Sequence, residues 1–193
     1  MFISTPLQHI NLLIISGDSA GGNLVTSLTL KTITNDIRIP DSLVISYAAL
    51  LIQFYPSPSR LLTLIDPVLM ASIMIKCLNA YKDPNYLKSL PRTLNDEIAI
   101  TLQDDNIFLS PLLAEKNLLR HFPKTLFIET DMDACLDENV QFSSKLIEAG
   151  VDVAMEVMEG LPHGFLAFSG FSKDCKEGVD YITHVLGDWI AKV

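Results

Sequence analysis

Positive charge and cysteine are both scarce in this chain. Fourteen lysines and arginines stand against 23 aspartates and glutamates, a formal net charge of −9. No basic stripe or basic amphipathic helix interrupts that balance, which argues against nucleic acid and anionic membranes as partners. The three cysteines, Cys77, Cys135 and Cys175, are odd in number and form no Cys-x-x-Cys pair. That usage excludes a disulfide or zinc framework and fits a reducing compartment. No basic region opens the chain, so its first apolar run does not read as a secretory signal. No apolar run approaches the ~18 residues of a membrane-spanning helix. A cytoplasmic protein is expected.

What the chain does have is apolar bulk, with 49% of its 193 residues hydrophobic and 19% charged. That is enough for one domain over residues 1–193, built on strands buried on both faces. Such a strand is expected at Leu12 to Ile15, and it runs into Gly17-Asp18-Ser19-Ala20-Gly21. A helix from about Ala20 to Ile33 follows, its inner face marked by Leu24, Val25, Leu28 and Thr32. Strand, G-x-S-x-G and helix are together the context of a nucleophile elbow. The serine sits on a tight turn in strained backbone, so small residues must stand two positions away on either side. Its Oγ then points out of the sheet, and the Ala20 N–H at the helix start can face a developing oxyanion. A trypsin-like protease shares a Gly-Asp-Ser-Gly-Gly sequence but needs its His and Asp upstream. Only His9 precedes Ser19, so that reading fails on order.

Further along, Leu43 to Tyr47 reads as a second buried strand. Asp66-Pro67 reads as the N-cap and first residue of a helix to about Ala80, apolar nearly all round. That helix is suited to the core or to lining an apolar pocket. Tyr81 to Asp105 is an irregular insert, and Ser110-Pro111 starts a helix over Leu112 to Leu119. Thr125 to Thr130 is a third strand, followed by the acidic turn Asp131-Met132-Asp133. A helix from Asn139 to Ala149 carries Val140, Phe142, Leu146 and Ile147, with Gly150 beyond its end. Val151 to Met158 is a fourth strand near an edge, and a last helix runs from about Lys173. Strands alternating with helices give an α/β fold with parallel strands and right-handed crossovers.

A serine nucleophile needs a base, and the base needs an orienting carboxylate. On an open parallel sheet these come from loops at the carboxyl ends of strands. His163, between Pro162 and Gly164, is the histidine presented there; His9, His121 and His184 read as surface residues. Asp137 and Glu138 read as a cap and first turn of a helix, which leaves Asp131 and Asp133 as candidate acids. Spacing does not choose between them.

With these residues in hand, the chain resembles the hormone-sensitive lipase family of α/β hydrolases. Gly17-Asp18-Ser19-Ala20-Gly21-Gly22-Asn23 is similar to the family's nucleophile sequence, and Leu161-Pro162-His163-Gly164-Phe165 to its histidine loop. Asp133-Ala134-Cys135-Leu136-Asp137-Glu138 resembles its Asp-Pro-Leu-x-Asp-Glu block, with Ala134 where proline is usual. Likeness to the animal members extends to Pro58-Ser59-Arg60-Leu61-Leu62, Asp66-Pro67-Val68-Leu69 and Ser110-Pro111-Leu112-Leu113. The resemblance implies Asp133 as the acid beside Ser19 and His163, with the Ala20 N–H in the oxyanion hole. It also implies hydrolysis of lipid esters without metal or organic cofactor, with a lipid-droplet surface as a partner. The family's His-Gly-Gly-Gly oxyanion loop does not occur in this sequence. The expected architecture is therefore an α/β-hydrolase fold truncated at its N-terminus, strands five to eight. A catalytically silent chain that only binds a partner is the competing expectation.

Overall fold

The computed structural model describes residues 11–53, 55–66, 68–83, 85, 93 and 105–191. Four strands carry the fold: β1 (Ile14–Asp18), β2 (Ser42–Ser46), β3 (Lys124–Thr130) and β4 (Val153–Met158). They pair in parallel in the order β1-β2-β3-β4. Parallel neighbours need crossover connections, and helices supply them. The α-helices among the described residues are α1 (Ala20–Thr34), α2 (Ala71–Lys82), α3 (Lys116–Leu119), α4 (Leu136–Glu148) and α5 (Lys173–Ile190).

Alternation along the strands sends side chains to two separate cores. Leu43, Ile45 and Phe127 pack against Val25 and Leu30 of α1, Leu119 of α3, and Phe142 and Leu146 of α4. Val44, Leu126 and Ile128 point the other way, toward Phe165 and the Ile182, Val185, Leu186 and Trp189 face of α5. A third, smaller cluster joins Met74 and Leu78 of α2 to Ile52, Ala134 and Cys135 above the carboxyl ends of the strands. That cluster sets a roof beside the site described below.

Several sequence expectations change in the structure. β1 begins at Ile14 rather than Leu12 and is half-buried, not enclosed on both faces. Among the described residues no strand pairs with its outer side. α1 has the expected span and buries Val25 as expected, but Leu24 and Leu28 do not share its inner face. Leu24 and Leu28 are 55% and 48% exposed, while Val25, Thr26, Thr29 and Leu30 are buried. The buried threonines bond the carbonyls one turn back, Thr26 Oγ1 to Gly22 O and Thr29 Oγ1 to Val25 O, which removes the cost of burying them.

Asp66 does not cap α2. Its Oδ1 accepts from Val68 N and Leu69 N in a separate turn, and the helix starts only at Ala71. Pro67 lies outside the described residues. The helix expected over Leu112 to Leu119 is a 3-10 turn, Pro111–Leu113, followed by the single turn α3. Val140 and Ile147 of α4 are exposed, and its inner face is Phe142 and Leu146. Most of the insert expected over Tyr81 to Asp105 lies outside the described residues, though Tyr81 and Lys82 complete α2.

Candidate active site

The turn between β1 and α1 is built by steric exclusion. Ser19 holds φ 52° and ψ −119°, a conformation that costs a non-glycine residue roughly 1–3 kcal/mol. Two glycines make the turn possible by letting backbones meet. A Cβ on Gly17 would lie 2.3 Å from Gly21 O, and one on Gly22 would lie 2.5 Å from Ala48 Cβ. The strained residue is then tied from both sides: Ser19 N donates to Ser46 O at 2.9 Å, and Ala49 N donates to Ser19 O at 3.3 Å.

Two further strand ends deliver the other polar groups. Asp133 follows β3, is completely buried, and accepts from Cys135 N through Oδ1 at 2.6 Å. His163 follows β4, where Gly164 takes a left-handed φ of 74° and Leu161 O accepts from Thr130 Oγ1. The Tyr47 ring packs edge-on against the imidazole at 5.1 Å. Between these supports, Ser19 Oγ lies 2.8 Å from His163 Nε2, and His163 Nδ1 lies 2.7 Å from Asp133 Oδ2. With Nδ1–H donating to the carboxylate, Nε2 is the acceptor for the Ser19 hydroxyl proton. Three residues separated by 144 and 30 positions are thus joined in one line.

Burial pulls the His163 pKa down, but the Asp133 hydrogen bond and charge outweigh it, with Asp66 and Asp18 adding to them. The net direction is above the ordinary 6.5. A second buried carboxyl, Glu129 on β3, lies close by. Burial holds it well above the usual carboxylate range, and the charges of Asp133 and Glu138 push it the same way. A backbone hydrogen bond from Tyr47 draws it the other way, and burial prevails.

The structure separates the two candidate acids. Asp131 is exposed and accepts from Gly160 N at 2.6 Å, away from the imidazole. Asp137 and Glu138 sit in the first turn of α4, as expected, but they bond Ser59 and Arg60 rather than capping the helix. His184 lies on the outer face of α5, 3.8 Å from Asp188, and His121 meets Arg120. His9 lies outside the described residues.

A cavity of about 490 Å³ opens beside Ser19 and His163. It is lined by Ala20, Asn23, Ala49 and Ile52 together with Leu69, Met74, Cys77, Leu78 and Tyr81. Asn23 is a contributor that periodicity does not reveal. Its Nδ2 donates to Ala49 O and Leu109 O, which turns Oδ1 toward the Tyr81 hydroxyl at 3.2 Å and so ties α2 to α1. Among the described residues, Asp133, Cys135 and His163 are the one group spaced closely enough to hold a metal ion. The Asp and His of that group already bond each other, and burial keeps the Cys135 thiol protonated.

A family profile described as the alpha/beta hydrolase fold matches residues 9–167. The chain is 45% identical over 67 residues to the hormone-sensitive lipase of Ictidomys tridecemlineatus, a stretch covering 35% of this chain and 9% of that lipase. It is 22% identical over 209 residues to neutral cholesterol ester hydrolase 1 of Bos taurus, covering 86% of this chain and 51% of that protein. A hyperthermophilic esterase from the archaeon Pyrobaculum calidifontis superimposes with a TM-score of 0.72 at 22% identity, over 92% of this chain and 52% of that one. The chain spans about half the length of the last two relatives and less of the first. With a profile match running through the serine turn, the acidic block and the histidine loop, this chain belongs to the alpha/beta hydrolase fold family.

Proposed function

We propose that the site cleaves carboxylic esters of lipids, such as acylglycerols or steryl esters, by a serine mechanism. The observation that carries this reading is the line of short bonds from Ser19 through His163 to Asp133, set at the wall of an apolar cavity. His163 Nε2 takes the Ser19 proton as Oγ bonds to the ester carbonyl carbon. Negative charge moves to the carbonyl oxygen, which the Ala20 N–H faces from the first turn of α1, where amides have no intrahelical partner. The imidazolium, held by Asp133, returns the proton to the departing alcohol oxygen as the ester bond breaks. Water then repeats the sequence on the acyl-serine, releases the acid and restores Ser19.

The substrate class is read from the cavity and its rim. Inward side chains of the segment 68–81 line the cavity, while Leu64, Ile65, Val68 and Met70 of the same region face solvent. From Leu61 to Ile75 the only charged residue is Asp66, which is buried. An exposed apolar patch without charge suits an uncharged lipid surface, and we assign this rim to a lipid droplet in the cytoplasm. No helix among the described residues is long and apolar enough to cross a membrane.

The second reading is a chain that binds lipid or a partner without turnover, since Ala20 N–H is the one oxyanion donor assigned among the described residues. Hydrolysis of p-nitrophenyl butyrate by the purified 193-residue chain decides between them. The first reading expects turnover that disappears in Ser19→Ala. A cooperatively folded chain with no turnover would leave only the second.

A further inference from the structure

Behind the Ser19–His163–Asp133 line, buried polar side chains bind together two segments that lie far apart in sequence. Arg60 and Glu138 are 3% and 4% exposed, and Arg60 Nη2 lies 2.6 Å from Glu138 Oε2. The guanidinium also donates to Leu51 O and Gln53 O at 2.6 Å each, and Glu138 Oε1 accepts from Leu50 N at 2.8 Å. Beside this pair, Ser59 N donates to Asp137 Oδ2 at 2.8 Å and Ser59 Oγ donates to Ala134 O at 3.0 Å. Asp137 N in turn donates to Ser59 Oγ at 3.2 Å. Asn139 Nδ2 donates to Ala48 O at 2.8 Å.

Each of these bonds reaches either the 48–53 loop after β2 or residues 134–139. The first loop touches the nucleophile: Ala49 N donates to Ser19 O, and Ala49 O accepts from Asn23 Nδ2 at 2.6 Å. The second segment starts one residue after Asp133. A buried ion pair gives little net stability over apolar residues of similar volume. What a bonded buried network does give is a single arrangement of the segments it joins, and here Asn139 Oδ1 is left without a partner among the described residues. Placement matters here because a displacement of about 1 Å in a reacting group can cost ~10²-fold in rate.

We propose that Ser59 and Arg60 are positioning residues, which act through residues 134–139 to hold the Asp133 carboxylate in line with His163 and Ser19. The consequence for rate rests on the ester-cleaving reading; the consequence for His163 does not. Facing His163 are Asp133, Asp66, Asp18 and the Tyr47 ring. Of these, Asp133 is the main influence that offsets the downward pull of burial. Loosening that carboxylate therefore lowers the His163 pKa.

The test uses the full chain with Ser59→Ala, which removes the hydroxyl's three hydrogen bonds, to Ala134 O, Asp137 N and Ser57 Oγ, and leaves no charge unpaired. The second variant, Arg60→Met with Glu138→Leu, removes both partners of the ion pair, so no buried charge is left unpaired. Proton NMR follows the His163 ring titration and its downfield Nδ1–H signal. The expected result is a lower His163 pKa and a weakened Nδ1–H signal in both folded variants, with both restored in Ser59→Thr. Labelling of Ser19 by a fluorophosphonate slows by at least ~10-fold in parallel. An unchanged His163 titration in the variants overturns the proposal, as does slowed labelling that only tracks the unfolded fraction. A lowered His163 pKa in a chain that no fluorophosphonate labels would support the positioning role and refute the ester-cleaving reading.

Discussion

Replacing Asp133 by asparagine tests the site at its buried end. The two carboxylate oxygens have different duties: Oδ1 accepts from Cys135 N at 2.6 Å and Oδ2 meets His163 Nδ1 at 2.7 Å. An asparagine offers one acceptor and one donor end. Cys135 N–H can only donate, so the amide oxygen must turn toward it and the NH₂ is left facing Nδ1. Nδ1 then has to accept, the ring proton moves to Nε2, and Nε2–H cannot take the Ser19 proton. In the general Ser-His-Asp scheme this wrong tautomer lowers kcat by about 10⁴ with the geometry intact. At 1.36 kcal/mol per decade, that is about 5.4 kcal/mol of lost transition-state stabilisation. The assay is p-nitrophenyl butyrate hydrolysis beside a thermal melt. Asp131→Asn, two residues away on an exposed carboxyl, is the control and should stay within about twofold of the parent. An Asp133→Asn variant within tenfold of the parent, or a larger loss in Asp131→Asn, would refute this assignment of the acid.

Protonation of His163 removes the acceptor for the Ser19 proton, so turnover should rise with pH. Because its pKa is shifted upward, the midpoint should fall above the ordinary 6.5, and a midpoint below that value in a pH–rate profile would contradict the cause given for the shift. Gly22→Ala drives a Cβ to 2.5 Å from Ala48 Cβ, so denaturant unfolding should register a loss of about 1–3 kcal/mol. Equal stability would mean that the contact between the elbow and the 48–53 loop is looser than described. Leu64→Asp with Ile65→Asp should reduce flotation with a triolein emulsion and leave hydrolysis of the soluble ester unchanged. Undiminished flotation would remove this rim from the lipid-facing surface.

The serine and histidine were legible in the sequence because each sits in a turn whose small neighbours are dictated by local geometry. Gly17 is required two positions before the strained residue, whereas Gly21 two positions after it has room for a Cβ and Gly22 makes the close approach instead; Pro162 and Gly164 present a ring at a strand end. The acid was legible only down to Asp131 or Asp133, since both lie on one turn and its path decides which carboxyl goes inward. Resemblance to the family's acidic block points to Asp133, whose Oδ2 lies 2.7 Å from His163 Nδ1. Where reading by hydrophobicity failed, local hydrogen bonding had reversed the expected order. Buried Thr26 and Thr29 are satisfied by their own helix, so α1 turns Leu24 and Leu28 outward. Asp66 before Pro67 reads as a helix cap, but its carboxylate serves a separate turn ahead of Ala71. The Arg60–Glu138 pair spans 78 residues and has no periodic signature at all.

One measurement bears on the central claim more directly than any other: peptide-resolved mass spectrometry after treating the folded chain with a fluorophosphonate. The account predicts a single adduct on the peptide containing Ser19, strongly reduced in His163→Ala. An adduct elsewhere, or one on Ser19 that forms as fast without the imidazole, would contradict it.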